Sequence, residues 1–231
     1  MEITDLGNEY YIKNGKKLRK VMGVGINDAD YRVDIKSELP KLNGKRKRKQ
    51  EFACKYYVTW KGMLERGFSA LFKSKHPTYR ECTVCNEWLT FSNFKSWMEQ
   101  QDWEGKELDK DLIVYKTMIY SPETSVYVNK DINQFMVKRE AGRGNFPLGV
   151  DYSKRDKKFR ARLNDNLVNK TPWLGYYKTP EEAHRSWQKA KIERAYFLKD
   201  KQTDPRVVEG LQRVVDKIRY DLDNNLITED F

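Results

Sequence analysis

Between Cys54 and Phe68 the apolar residues Tyr57, Trp60, Met63, Leu64 and Phe68 recur at helical spacing. Such a stripe predicts an amphipathic helix with one buried face. Gly67 weakens its end and His76-Pro77 breaks the chain. After Glu87-Trp88-Leu89, either Thr90 or Ser92 is placed to cap a second helix carrying Phe94, Trp97 and Met98. These aromatics read as core. From 106 to 129 the pattern turns extended. Glu107, Asp109 and Asp111 alternate with Leu108, Lys110 and Leu112, so three carboxylates are expected on one face of a strand. Ser121-Pro122 marks a turn and Val126-Tyr127-Val128 a short strand. Ile132 and Phe135 share one face of a short helix over 131–138. The order is strand, turn, strand, helix.

Gly142-Arg143-Gly144 then separates a second unit. A strand starts at Leu148-Gly149-Val150. A second runs from Lys158 to Asn164, with Phe159, Ala161 and Leu163 on one face and Arg160, Arg162 and Asn164 on the other. Trp173 to Tyr177 gives a third. Thr179-Pro180-Glu181-Glu182 has every mark of a helix start: Thr as N-cap, Pro at the first position, Glu closing a capping box. Ala183, Ser186, Trp187 and Ala190 form a seam of mostly small residues that lets this helix lie close on the sheet. Asp204-Pro205 opens a last helix with Val208, Leu211, Val215 and Ile218 as its stripe. The acidic end, Asp221 to Phe231, is expected to fray.

The chain has 231 residues, 45 of them Lys or Arg against 34 Asp or Glu, for a net charge of +11. That balance points to a polyanion partner, with nucleic acid the default. Aromatics at 13% allow packed cores and exclude a disordered chain. No apolar run approaches the roughly 18 residues of a membrane span, and the start resembles no secretory leader. Three Cys exclude a disulfide scaffold and fit a reducing compartment. Cys82-x-x-Cys85, even with His76 and Cys54 nearby in sequence, makes one knuckle where a structural zinc needs two, so zinc is not expected. Residues 1–50 read as a basic arm. Within it Lys45, Arg46, Lys47, Arg48 and Lys49 form either a solvated linker or a phosphate-tracking segment.

Trp60-x-x-Met63-Leu64, Val84-Cys85-x-Glu87-Trp88-x-x-Phe91-x-x-Phe94, Leu108-Asp109-Lys110 and Tyr120-Ser121-Pro122-Glu123 stand in an order that resembles the HNH endonucleases of tailed phages, often homing endonucleases. Gly149-Val150, Phe159-x-Ala161-x-Leu163, Trp173-Leu174-Gly175 and Thr179-x-Glu181-Glu182-Ala183 resemble an AP2-type DNA-binding domain. The resemblance implies an α+β protein: an HNH-like ββα-metal hairpin with flanking helices over 51–140, then an AP2-like three-stranded antiparallel sheet packed on one helix over 143–200. A C-terminal helix and acidic tail fill 201–231. It further implies double-stranded DNA as partner, no membrane, Mg²⁺ or Mn²⁺ as cofactor, and the cytoplasm of an infected bacterial host as location.

Carried onto this chain residue by residue, the general-base position beside Asp109 is Lys110, and the position that orients the base is Thr124. Neither His76 nor His184 lies in the hairpin. The metal candidates are Asp109, Asp111 and Asn133, oxygen donors suited to Mg²⁺ or Mn²⁺. A protonated Lys is a poor base, so metal-dependent DNA cleavage and a non-cleaving nuclease relative, acting as repressor or site occluder, both stay open. So does an inhibitor of a host defence protein, and the partner beside DNA is then a host or phage protein. For DNA the candidates are Arg160, Arg162, Asn164, Trp173 and Lys178 of the AP2-like sheet, plus Lys45 to Lys49. Arg pairs with guanine and Asn with adenine edges. Asp151 and Ser153 fall where plant members of that family carry Arg, which removes the plant-type target sequence.

Overall fold

The computed structural model describes residues 2–42, 45–137, 144–163 and 173–231, with the backbone alone for 40–42 and 45–47. The fold is mixed α+β, with six α-helices and several small, mostly antiparallel sheets among the described residues. The chain forms two compact units. Unit 1 is Met1–Trp103 with Thr117–Thr124, and unit 2 is Glu104–Lys116 with Ser125–Phe231. The stretch 51–140 therefore contributes to both. Among the described residues no helix is long and apolar enough to cross a membrane.

Unit 1 opens with β1 (Ile3–Asp5), β2 (Tyr10–Lys13) and β3 (Lys16–Arg19) in an antiparallel meander. Asn14 and Gly15 both take positive φ between β2 and β3, the two-residue turn whose twist matches the flanking strands. Strands β4 (Asp34–Leu42) and β5 (Lys45–Ala53) pair as a hairpin. The first fifty residues are thus largely β-structure, and the basic run forms part of a paired strand instead of a linker. Cross-strand pairing supplies backbone partners even where the side chains repel.

Helix α1 (Lys55–Phe68) buries the expected stripe at Trp60, Met63 and Leu64. It is followed by α2 (Ala70–Lys75) and a 3₁₀ turn at Pro77–Tyr79. Then come β6 (Thr83–Val84), a 3₁₀ turn at Glu87–Leu89, and α3 (Phe91–Glu99). Trp60, Trp88, Phe91 and Phe94 form the centre, with Trp60 Nε1 donating to Trp88 O at 2.7 Å. Thr90 holds the N-cap position of α3 but makes no side-chain cap. The cap comes from afar: Asp28 Oδ1 accepts the Ser92 amide at 2.9 Å. Beside it, Gly25 lies so close to α1 that a Cβ would stand 2.4 Å from Leu64 Cδ1. β8 (Ile119–Tyr120) completes the unit, parallel to β6.

In unit 2, β7 (Glu107–Asp109) pairs antiparallel with β9 (Val126–Val128), and α4 (Lys130–Met136) packs on both through Ile132 and Phe135. β10 (Val150–Ser153), β11 (Lys158–Arg162) and β12 (Trp173–Tyr177) form an antiparallel sheet in that order. Helix α5 (Pro180–Lys199) crosses all three strands and starts at the expected Thr179–Glu182 capping box. Helix α6 (Pro205–Asp223) packs along α5. One core joins Val126, Val128, Ile132 and Phe135 to Leu163, Trp187, Leu211 and Ile218, so both sides of the expected 140–143 boundary share it.

The C-terminal segment is anchored, in contrast to the frayed end its acidity suggested. Thr228 and Phe231 are buried. The Thr228 amide donates to His184 Nε2 and Leu148 O lies on His184 Nδ1, each at 2.9 Å. A backbone N–H can only donate, so Nε2 holds the lone pair, Nδ1 carries the proton, and the ring is a neutral pin. Thr228 Oγ1 also donates to Asp221 Oδ2, and Gln188 Nε2 donates to Thr228 Oγ1, each at 2.9 Å. Phe231 packs near Phe135 and Trp187, with the Lys191 ammonium 3.7 Å from the Phe135 centroid and 4.6 Å from that of Phe231. Polar satisfaction and cation–π attraction outweigh the solvation of this short tail.

Gly210 tests the packing of α6. A Cβ there would stand 2.5 Å from Leu112 O and 2.8 Å from Leu112 Cγ. At an open helix position Gly→Ala stabilises by about 1 kcal/mol. Here overpacking should dominate, so Gly210→Ala should destabilise by about 1–3 kcal/mol. Urea denaturation checks this, as a lower midpoint with an unchanged slope.

Candidate nucleic-acid interface

The face of β10–β12 turned away from α5 is built by strand alternation. Val150 and Ala161, paired across β10 and β11, point into the core with Ala183 of α5. Their neighbours Asp151, Arg160 and Arg162 therefore point outward. Gly149, just before β10, has φ +75°, and a Cβ there would fall 1.9 Å from Trp187 Cδ1. Only glycine meets both demands, and the close approach seats the sheet on the helix.

Arg160 and Arg162 occupy the outward face as expected, but one carboxylate holds both. Arg160 Nε donates to Asp151 Oδ1 at 2.5 Å, and Arg162 Nη2 pairs with Asp151 Oδ2. On β12, Tyr176 lies opposite Arg160 and Trp173 opposite Arg162. Trp173 is 65% exposed, an unusual position for so large an apolar ring. It meets Tyr176 edge-on, with centroids 5.7 Å apart. Lys178 is exposed just beyond the strand. Asn164 lies outside the described residues.

The β10–β11 turn carries Lys154, Arg155 and Lys157, and Lys158 opens β11; all four are exposed. Asp156 organises it. Its Oδ2 accepts from Ser153 Oγ at 2.6 Å and from Tyr176 Oη at 2.7 Å, and its Oδ1 from Arg155 Nε at 3.1 Å. Those bonds, Ser153 first, hold its carboxyl down at about 2. The sequence reading places Lys154 near the loop as a phosphate contact but missed this network and the neighbouring Arg155, Lys157 and Lys158. The signal was the clustering of four cations within five residues of a short hairpin connection.

The acidic hairpin differs from expectation. Asp109 is buried, and its Oδ1 accepts the Asp111 amide at 2.9 Å and the Leu112 amide at 2.8 Å. That local cap ends β7 at Asp109 and turns the chain, so Asp111 does not share a strand face with Glu107 and Asp109. Burial pushes the Asp109 carboxyl above the usual carboxylate range, while the Leu112 and Asp111 amides pull it down. Lys110 is buried and its ammonium pairs with Asp111. Asn133 Nδ2 donates to Glu107 Oε2. Arg213 of α6 donates to Ile113 O and Leu112 O, each at 2.5 Å, and fixes the loop from behind.

This donor set fits an ammonium better than a divalent ion. Asp109 spends an oxygen on two amides, Asp111 carries the Lys110 charge, and Asn133 is turned toward Glu107. Among the described residues no three His, Cys, Asp or Glu side chains converge as metal ligands. Thr124 belongs to unit 1, where its Oγ1 donates to Ile119 O at 2.6 Å and accepts the Ser121 amide at 3.1 Å. It shapes the Ser121–Thr124 turn. Cys54 and Cys82 are buried thiols, and burial pushes the half-buried Cys85 thiol up.

Of the basic run, Arg48 and Lys49 are exposed on β5. Arg48 stands 3.9 Å from Glu38, and Lys49 3.4 Å from Glu51. Such exposed pairs contribute little to stability. Lys45, Arg46 and Lys47 belong to the same strand.

The Asp156 network yields a titration. A carboxyl with a lowered folded value adds stability above its unfolded value of 3.8, and that contribution is lost as pH falls through about 2. Tyr176→Phe should raise the Asp156 midpoint from about 2 toward 3.8, read from the side-chain carboxyl carbon shift in NMR. An unchanged midpoint would remove Tyr176 from the network.

Compared with known proteins, the chain matches no family model, no curated protein and no solved structure.

Proposed function

We propose that the protein binds double-stranded DNA, with the outward face of β10–β12 entering the major groove and the β10–β11 turn lying on the backbone. The observation that carries this reading is the arrangement on that face. Two guanidiniums stand side by side on Asp151, with an exposed Trp173 opposite Arg162 and four exposed cations, Lys154, Arg155, Lys157 and Lys158, in and beside the β10–β11 turn. Guanidinium forks pair with guanine edges, and apolar rings contact thymine methyl groups and sugars. Turn cations neutralise phosphates and release counterions. The net charge of +11 adds a long-range attraction to the same polyanion.

Two readings of the acidic hairpin follow from its likeness to HNH nucleases: metal-dependent phosphodiester cleavage with Mg²⁺ or Mn²⁺, or DNA occupancy without cleavage. The pairing of Lys110 with Asp111 and the capping role of Asp109 favour occupancy. In that case the protein is a nuclease relative acting as a repressor or site occluder.

Binding to duplexes selected from a random pool tests the first part. Affinity should fall steeply with salt, and Lys154→Gln with Lys157→Gln should flatten the log–log slope by about 0.9 per lost phosphate contact. Arg162→Ala should weaken the selected duplex by about 1–3 kcal/mol more than a scrambled one. Equal losses on both would mean this sheet does not read sequence.

Incubating supercoiled plasmid and phage genomic DNA with the protein and Mg²⁺ or Mn²⁺ tests the second part. Occupancy predicts neither nicks nor breaks. Metal-dependent cutting that is abolished by Asp111→Asn would establish the nuclease reading in its place.

A further inference from the structure

We infer that Asp151 is a specificity-determining positioning residue. It fixes Arg160 and Arg162 in a base-reading orientation and, by its charge, weakens sequence-blind binding; the inference rests on the DNA-binding reading above. Asp151 and Arg160 are direct cross-strand partners, and Arg162 follows two residues later on the same face. The carboxylate gives one oxygen to each guanidinium, Oδ1 to Arg160 and Oδ2 to Arg162. Its side chain is 13% exposed, against 32% for Arg160 and 44% for Arg162. The acid is thus the floor and the two cations are the surface.

The partly exposed guanidiniums are screened by solvent, so folding stability needs at most one of them to satisfy the Asp151 carboxylate and gives little reason for two. Binding gives a better one. A free Arg side chain loses rotamer freedom when it docks, and a guanidinium held beforehand loses less. The contact to Arg160 uses Nε, so a base would take the Nη edge, the side suited to guanine O6 and N7. The same carboxylate leaves the trio with one net positive charge instead of two. Phosphates, which attract any cation, gain less from it, while a base edge, which needs direction, gains more. One side chain therefore lowers affinity for every sequence and raises the ratio between the right one and the rest.

Asp151→Asn keeps the size of the side chain and removes its charge. Arg160→Lys keeps the cation and removes the Nε contact. The experiment measures affinities of the full chain and both variants for a duplex selected by the wild-type protein and for its scrambled version, at two salt concentrations. Thermal melting of each variant checks its fold. Asp151→Asn should bind the scrambled duplex several-fold more tightly, and the ratio of selected to scrambled affinity should fall about tenfold, the scale of one lost bidentate contact. Arg160→Lys should hold its scrambled-duplex affinity and lose the ratio. An unchanged ratio in folded Asp151→Asn overturns the inference and leaves DNA binding intact. Equal tightening on both duplexes also overturns it, because the carboxylate then only repels. A wild-type protein that binds neither duplex, or binds without salt dependence, overturns the DNA reading itself and the inference with it.

Discussion

Trp187 fills the space where any side chain at position 149 would stand, and the seating of the β10–β12 sheet depends on that contact. Because Gly149 lets the indole reach the backbone, β10 enters close against α5. Ala161 and Ala183 then meet in a fully buried cluster with Val150. Alternation does the rest: a strand anchored on Val150 and Ala161 must send Asp151, Arg160 and Arg162 the other way. A one-residue slip would bury three charged groups, so the interior packing guards the register of the exterior chemistry. Trp187 also contributes its other edges to the core beneath, beside His184 and near Phe231.

Much of this was legible in the sequence because it is local. The Thr179–Glu182 capping box, the α1 stripe and the alternation of β11 follow from neighbours a few residues apart, and they stand where the pattern put them. What was hidden depends on partners far along the chain. Nothing near Thr228 announces that a histidine 44 residues earlier accepts its amide, so acidity alone suggested fraying. The basic run could not reveal itself as a strand because repulsion along it is local, whereas its pairing with β4 is not. Asn14-Gly15, by contrast, is a readable hairpin signal that was overlooked beside the charge of the segment.

The candidate sites divide in the same way. Side-chain direction on β11 needed only the pleat, so Arg160 and Arg162 were placed correctly. Their restraint by Asp151 needed the register of β10 and stayed invisible. The acidic hairpin was misjudged in its geometry because Asp109 competes with the strand for its own backbone. A short carboxylate accepting two following amides ends β7 and redirects Asp111. Alternation presumes that the strand continues, and Asp at its end is a residue able to stop it.

The distant cap on α3 has a consequence for the order in which unit 1 assembles. Asp28 and Ser92 are separated by 64 residues, and the Gly25 backbone lies against α1 where Ile26 exchanges hydrogen bonds with Leu89 and Phe91. During synthesis the segment around residue 28 emerges first and its Gly25 end has α1 to lie against, but the Asp28 carboxylate has no α3 amide to cap until Ser92 has been made. The loop that must close is long, so its entropy is lost before the contact is gained. The start of α3 therefore ties the 25–28 turn to a helix made much later in the same unit. That cap closes only once both ends of the loop exist, which makes it a late contact of unit 1.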